Sequence, residues 1–344
     1  MKISVCIPQY NRIQYLLKSL SLIGRQTYSN IEIIISDDAS IDETEYEINK
    51  LIPVYKYPII YSRNKKNMGY DYNYRKCIEL ANGTYAFVIG NDDSLYGEKS
   101  IQFLVGFLQQ NSYPDIGFCN MVEERTNYSF IERAHKTAVI GSGPETALKY
   151  YSSFSFVGGL IYKKSSFDKY NTDKYDGSVY AQLYLGCLMI ANGCILFSIQ
   201  EPLVMKDLVV TDAHRNSYRD KIATNWRGYR KVNGGLPSVI NVLIASFRDA
   251  GVLSQRTIYR IYKRIYSTTF PFWIQDYKSN HAFPEAIGLV HGMFPYQYPN
   301  FSLLNFANRL KVTCIYFLSS GIALVFPNFL FNKIKDGLYK RMKK

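Results

Sequence analysis

Carboxylates, amides and small residues gather in four short stretches of the N-terminal third. These are Pro8-Gln9-Tyr10-Asn11-Arg12, Ser36-Asp37-Asp38-Ala39-Ser40, Asn67-Met68-Gly69 and Asn91-Asp92-Asp93. A carboxylate at the tip of a strand can accept hydrogen bonds from a base imide or a ribose hydroxyl. A second carboxylate can hold a divalent cation, and Mg²⁺ and Mn²⁺ commonly bridge one or two carboxylates to substrate phosphates. That division of labour suits a nucleoside-diphosphate donor. No GxGxxG follows the first apolar run and no GxxxxGKS/T occurs, so dinucleotide and P-loop readings lack support.

The elements that must position these stretches alternate. Ile3 to Ile7, Ile31 to Ile35, Ile59 to Tyr61 and Tyr85 to Ile89 read as buried strands. Between and after them Gln14 to Ile23, a segment capped by Ser40 or Asp42 and running to about Leu51, Tyr70 to Leu80, and Glu98 to Gln110 read as helices. This rhythm predicts a mostly parallel sheet with helices on both faces, and ligands of such sheets bind outside the carboxyl ends of the strands. The middle of the chain is more irregular: a glycine-kinked apolar segment at 156–162, a helix at 179–191 whose buried side is Leu183, Cys187, Leu188 and Ile190, and a strand at 195–199 closed by Glu201-Pro202. The Gly158-Gly159 pair either admits a close ligand or kinks a strand.

Composition narrows the class. The 344 residues are 47% hydrophobic and 20% charged, which excludes a disordered or collagen-like chain. The net charge of +13 favours anionic partners. No recognised nucleic-acid module accompanies it, so nucleic acid is not the expected partner. Six cysteines without a CxxC pair read as reduced core thiols. The first residues do not form a signal peptide pattern, and a cytoplasmic location is expected. After about residue 220 the pattern turns helical. Residues 312–332 carry no formal charge, Pro327 interrupts them, and six basic residues against one acid follow. Segment 312–344 therefore reads as an in-plane or re-entrant amphipathic anchor on an anionic membrane surface, or as a helix packed on the core.

Ser4-Val5-Cys6-Ile7-Pro8-Gln9-Tyr10-Asn11-Arg12 and Ile34-Ile35-Ser36-Asp37-Asp38-Ala39-Ser40 resemble the opening of family 2 glycosyltransferases, and Asn67-Met68-Gly69, Ala81-Asn82-Gly83-Thr84-Tyr85 and Asn91-Asp92-Asp93 continue the likeness in order and spacing. It covers residues 2–110 and weakens towards 220. Gly90-Asn91-Asp92-Asp93 with Gly177-Ser178-Val179-Tyr180 is similar to bacterial O-antigen transferases of the abequosyltransferase type.

The resemblance implies a GT-A fold over residues 1–220, with a nucleotide-binding half at 1–110 and an acceptor half at 111–220, followed by a helical region at 221–344. It implies that Pro8, Tyr10 and Arg12 line the nucleotide pocket, that Asp38 contacts the base, and that Asn67 and Gly69 close over it. Asp92 would face the ribose and Asp93 would ligate Mn²⁺ or Mg²⁺; Asn91 departs from the acid many relatives carry. His214 and Arg215 fall where the family often places a metal or diphosphate contact. The family's base usually opens a helix in the second half; here Ala181-Gln182 hold that place, and the nearest acid is Asp176, which reads equally as a turn residue. The expected activity is metal-assisted, inverting transfer of a sugar from a nucleotide-sugar donor to a lipid-linked saccharide in bacterial surface polysaccharide synthesis, at the inner face of the membrane. The alternative is a non-catalytic nucleotide-sugar-binding or scaffolding subunit.

Overall fold

A computed structural model describes residues 1–210 and 235–342. In chain order the first half contains β1 (Ile3–Gln9), α1 (Ile13–Ile23), β2 (Ile31–Asp37), α2 (Thr44–Leu51), β3 (Ile59–Arg63), α3 (Tyr70–Glu79), β4 (Tyr85–Val88), β5 (Ser94–Leu95), α4 (Ser100–Gln110) and β6 (Ile116–Glu123). Then follow β7 (Ser129–Ile131), β8 (Ala138–Gly141), α5 (Pro144–Tyr150), β9 (Leu160–Lys163), α6 (Lys164–Tyr170), α7 (Ala181–Ala191) and β10 (Leu196–Lys206). Helices α8 (Leu236–Asp249), α9 (Gln255–Arg264), α10 (Phe270–Ser279), α11 (Phe283–Gly292), α12 (Phe306–Val325) and α13 (Asn328–Met342) complete the described chain.

The strands form one sheet in the order β3-β2-β1-β4-β9-β6-β10-β5, with β7 on β6 and β8 on β10. Along that path only β9 and β5 run against the others. The expected mostly parallel sheet is therefore present. Alternation along each strand separates two cores, because successive side chains point to opposite faces. Ile3, Val5, Ile7, Ile33 and Phe87 face α1 and α4. Cys6, Ile34, Val88, Phe118 and Leu160 face α3, α7 and the C-terminal helices.

Two local expectations are corrected. β10 does not close at Glu201-Pro202 but continues to Lys206; two register shifts against β6 around Pro202 absorb the residue that cannot donate to the ladder. Helix α7 has no solvent side: all eleven of its residues are buried, because α8 covers the surface that faces away from the sheet. The C-terminal helices thus extend the core of the α3–α7 face. The border expected near residue 220 lies outside the described residues.

Among the described residues no single helix is long and apolar enough to cross a membrane. Helices α12 and α13 meet instead at a bend of 104°. Phe326, extended at ψ 130°, precedes Pro327, as sterics require of a residue before proline. The carbonyls that the break leaves free are met from α10: buried Lys278 donates to Ala323 O (3.0 Å) and Phe326 O (2.9 Å), and Gln275 donates to the same two oxygens. A cation at a helix C-terminus is also favoured by the helix dipole. Burial holds the Lys278 ammonium below the usual lysine range. Lys278→Met keeps the stem and removes the donors, so it is expected to destabilise the full chain by about 2 kcal/mol in urea unfolding. An unchanged midpoint would show that Gln275 alone serves the break.

Candidate active site

The four polar stretches converge because β1, β2 and β4 are parallel neighbours and end together. After β1 the chain turns through Asn11 and Arg12, both in the left-handed region (φ 54° and 61°). This places the Asn11 N–H on Ser40 Oγ (2.7 Å) and the Arg12 guanidinium on Asp92 Oδ2 (2.8 Å). Asn91 Nδ2 donates to Tyr10 O (3.4 Å) across the same gap. Tyr10, Arg12, Asn91 and Asp92 therefore form one group, with Tyr10 exposed and Pro8 half-buried beside it.

The two acids after β2 divide their work. Asp37 folds its own turn: Oδ1 accepts from the Ser40 N–H (2.9 Å), and Oδ2 from the Tyr61 hydroxyl (2.6 Å). Asp38 fastens the next loop, accepting from Asn64 Nδ2 (2.9 Å), the Met68 N–H (2.7 Å) and the Gly69 N–H (2.9 Å). Asn67 Oδ1 shares the Gly69 N–H (3.1 Å) while its side chain stays exposed. Asp38, Asn67 and Gly69 are thus brought together, and the Asp38 N–H on Gln9 O (2.9 Å) joins them to the first group.

Asp93 is enclosed like the two acids after β2, at 2% exposure. Its Oδ1 accepts from the Asp207 N–H (3.0 Å) and its Oδ2 from the Gly90 N–H (3.3 Å). Gly158 is required beside it: a Cβ there would stand 2.7 Å from Asp93 Oδ2, and one on Gly90 would stand at 2.8 Å. The close approach at Gly158 is to this carboxylate of the chain itself, not to a ligand. Burial first, and then the charge of Asp92, push the Asp93 carboxyl up to about 7.

Two cations that the sequence did not single out stand behind it. Arg133 is buried and donates to Cys119 O (3.2 Å), Phe156 O (3.1 Å) and Gly158 O (3.0 Å), which ties down the glycine turn. Burial lowers its guanidinium to about 10. Lys206, at the end of β10, pairs with Glu123 (3.3 Å) and Asp207 and lies 5.4 Å from the Phe156 ring centroid. Neither had a signal in the sequence; only the path of β10 past Pro202 brings Lys206 to Asp93.

Asp176 is held from α3. Arg75 of α3 grips both its oxygens, Nε to Oδ1 at 2.8 Å and Nη2 to Oδ2 at 2.5 Å. It stands on the wall of a cavity of about 860 Å³ shared by the segment before α7, α8 and α11, with Ser178, Asn241, His291 and Tyr298. The entry of α7 is held by an unforeseen acid, Asp71, which accepts from the Val179 (2.7 Å) and Ala181 (3.1 Å) N–H groups. Its carboxyl is raised by burial, against the pull of those two bonds. His214 and Arg215 lie outside the described residues.

The donor set bears on a cation. Among the described residues no three His, Cys, Asp or Glu side chains gather to hold a metal. Asp92 and Asp93 supply adjacent carboxylates, and burial first and the charge of Asp92 second hold the Asp93 carboxyl high. Two carboxylates suit a cation that completes its shell with substrate phosphates and water, not an all-protein cage. The residues present fit such an ion.

The strand order, with carboxylates at the strand tips, is that of a GT-A-like fold. Residues 4–170 match the family described as Glycosyl transferase family 2. The chain is similar to the abequosyltransferase RfbV of Salmonella typhimurium, 35% identical over 224 residues that make up 60% of this chain and 66% of that protein. It is also similar to a PGL/p-HBAD biosynthesis glycosyltransferase of Mycobacterium bovis, 30% identical over 125 residues, 36% of this chain and 48% of that one. The alignments thus span just under two thirds and about half of these relatives. Among solved structures, S. aureus TarS 1-349 in complex with UDP-GlcNAc superposes with a TM-score of 0.61 at 14% identity, covering 94% of this chain and 91% of that one. The same protein with UDP gives 0.59 at 13% identity, covering 98% and 92%. At such identity the likeness is one of fold.

Arg133→Met removes the donors of three carbonyls at once, and a cost of about 3 kcal/mol or more is expected in urea unfolding. Wild-type stability in that variant would mean that water replaces the guanidinium.

Proposed function

We propose that this protein transfers a glycosyl group from a nucleoside-diphosphate sugar to a saccharide acceptor carried on a lipid, in the making of a bacterial surface polysaccharide. The observation that carries the reading is the enclosed Asp93 carboxylate beside Asp92 at the tips of parallel strands, in a chain that matches family 2 over residues 4–170. Asp92, Arg12 and Tyr10 would bind the ribose and diphosphate side of the donor. Asp38 would meet the base through the loop it holds, with Asn67 and Gly69 above it and Pro8 below. Asp93, with Asp92 and with His214, would hold Mn²⁺ or Mg²⁺; a bound ion there would screen charge on the diphosphate. Arg215 would add a cation to the same group. The abequosyltransferase relative supports an O-antigen-type product, and the UDP complexes of the fold neighbour support a nucleotide donor.

In the transfer the acceptor oxygen forms a bond to the anomeric carbon. The bond from that carbon to the phosphate oxygen breaks, and the nucleoside diphosphate leaves with the electron pair. The acceptor hydroxyl proton goes to a base. Asp176 is the proposed base, and its place on the wall of the 860 Å³ cavity supports an acceptor there. Its bidentate pair with Arg75 favours the second reading, in which Asp176 is a strut and the chain binds a nucleotide sugar without turning it over.

Two measurements divide these. A panel of nucleoside diphosphates, with and without Mn²⁺, is expected to raise the melting temperature for one base more than the others, and more with the metal, because a ligand of the native state stabilises it. No shift with any nucleotide would remove the donor site. Asp176→Asn is expected to abolish transfer and leave the nucleotide shift within about 1 °C of wild type. Normal turnover in that variant would place the base elsewhere. No transfer and no donor hydrolysis by the wild-type protein would favour the binding subunit.

A further inference from the structure

Helix α12 buries one side only. Val312, Tyr316, Ser320 and Ala323 face the core. The opposite side carries Phe306, Leu310, Phe317, Leu318, Ile322 and Val325 into the open, with Leu318 at 65% and Val325 at 80% exposure. At 100° per residue these fall on one arc, and exposed Cys314 and Gly321 lie within it. Beyond the bend Phe329, Leu330 and Ile334 of α13 are also exposed, while Phe331 packs inward on Phe272. A contiguous apolar surface of this kind marks an interaction site.

Charge selects the occupant. Exposed Lys311 and Lys333 lie near the two ends of the surface, and no acidic residue occurs from 311 to 335. The sequence beyond adds Lys340, Arg341, Lys343 and Lys344 against Asp336. A second copy of the chain would bring the same cations to this surface, where Asp276 is already paired with Lys335. An apolar stripe between basic ends instead matches the acyl–headgroup boundary of an anionic bilayer. The 104° bend, fixed by Lys278 and Gln275, prevents the two helices from forming one straight span.

We propose that the outward side of α12, continued by α13, is a docking surface that lies in the plane of an anionic lipid bilayer. Apolar side chains enter the acyl boundary and the flanking lysines meet the headgroups. Docking goes beyond the transfer reading and does not depend on it, since vesicle binding is measured without donor or acceptor.

The test is flotation of the full chain with phosphatidylethanolamine–phosphatidylglycerol vesicles and with phosphatidylcholine vesicles, at low and high salt. The protein is expected to float with the anionic vesicles, far less with the neutral ones, and less as salt screens the headgroups. Leu318→Asp with Val325→Asp is expected to lower the bound fraction about tenfold. Both positions are exposed, so the melting temperature is expected to hold, and an unchanged nucleotide-induced shift separates lost docking from a lost donor site. Three results would overturn the proposal: no flotation with anionic vesicles, equal flotation of the double variant, or a wild-type dimer that the double variant splits into monomers.

Discussion

A carboxylate held out of water at the end of β4 sets the terms for much of the surrounding structure. Burying Asp93 beside a second acid is costly unless dipoles and cations answer it. The answer comes from several directions: N–H groups of Gly90 and Asp207, the ammonium of Lys206 and the guanidinium of Arg133. Each has a structural condition. Gly158 must lack a side chain, Arg133 must leave solvent to hold the turn that carries Gly158, and β10 must run past Pro202 to deliver Lys206. The bulged strand and the buried arginine are parts of one electrostatic arrangement.

The first 110 residues were readable because their signals are local. Isoleucine-rich runs alternate with helical spacing, and each strand ends in polar residues that can only turn. The grouping of Tyr10, Arg12 and Asp92, and of Asp38 with Asn67 and Gly69, follows from parallel strands ending together. What was not readable depends on partners far away in sequence. Pro202 looked like a stop because its bulge against β6 is a property of the pair. Arg133 and Lys206 carried no signal because their burial is decided by the sheet. The full burial of α7 required α8, whose packing no periodicity within α7 announces. Asp71 is the sharpest case: a first-turn acid of α3 by position, it caps the entry of a helix 110 residues later.

Helix α3 links the two halves of the site. At its start Gly69 is fastened to Asp38, two residues on Asp71 holds the 179–181 backbone, and one turn further Arg75 grips Asp176. At 1.5 Å per residue, Gly69 and Arg75 are about 9 Å apart along the axis. The loop proposed for the base and the segment proposed for the acceptor are therefore mounted on a single stiff element, so a displacement at one is felt at the other.

Five of the six thiols are buried, and the sixth, Cys314, sits on the open side of α12. Burial also raises the thiols of Cys6, Cys119, Cys187 and Cys194, which keeps them unreactive. A maleimide dye added to the unaltered, folded chain would consequently mark one helix and no other element. The colour of a polarity-sensitive dye there would report directly on the medium that helix meets.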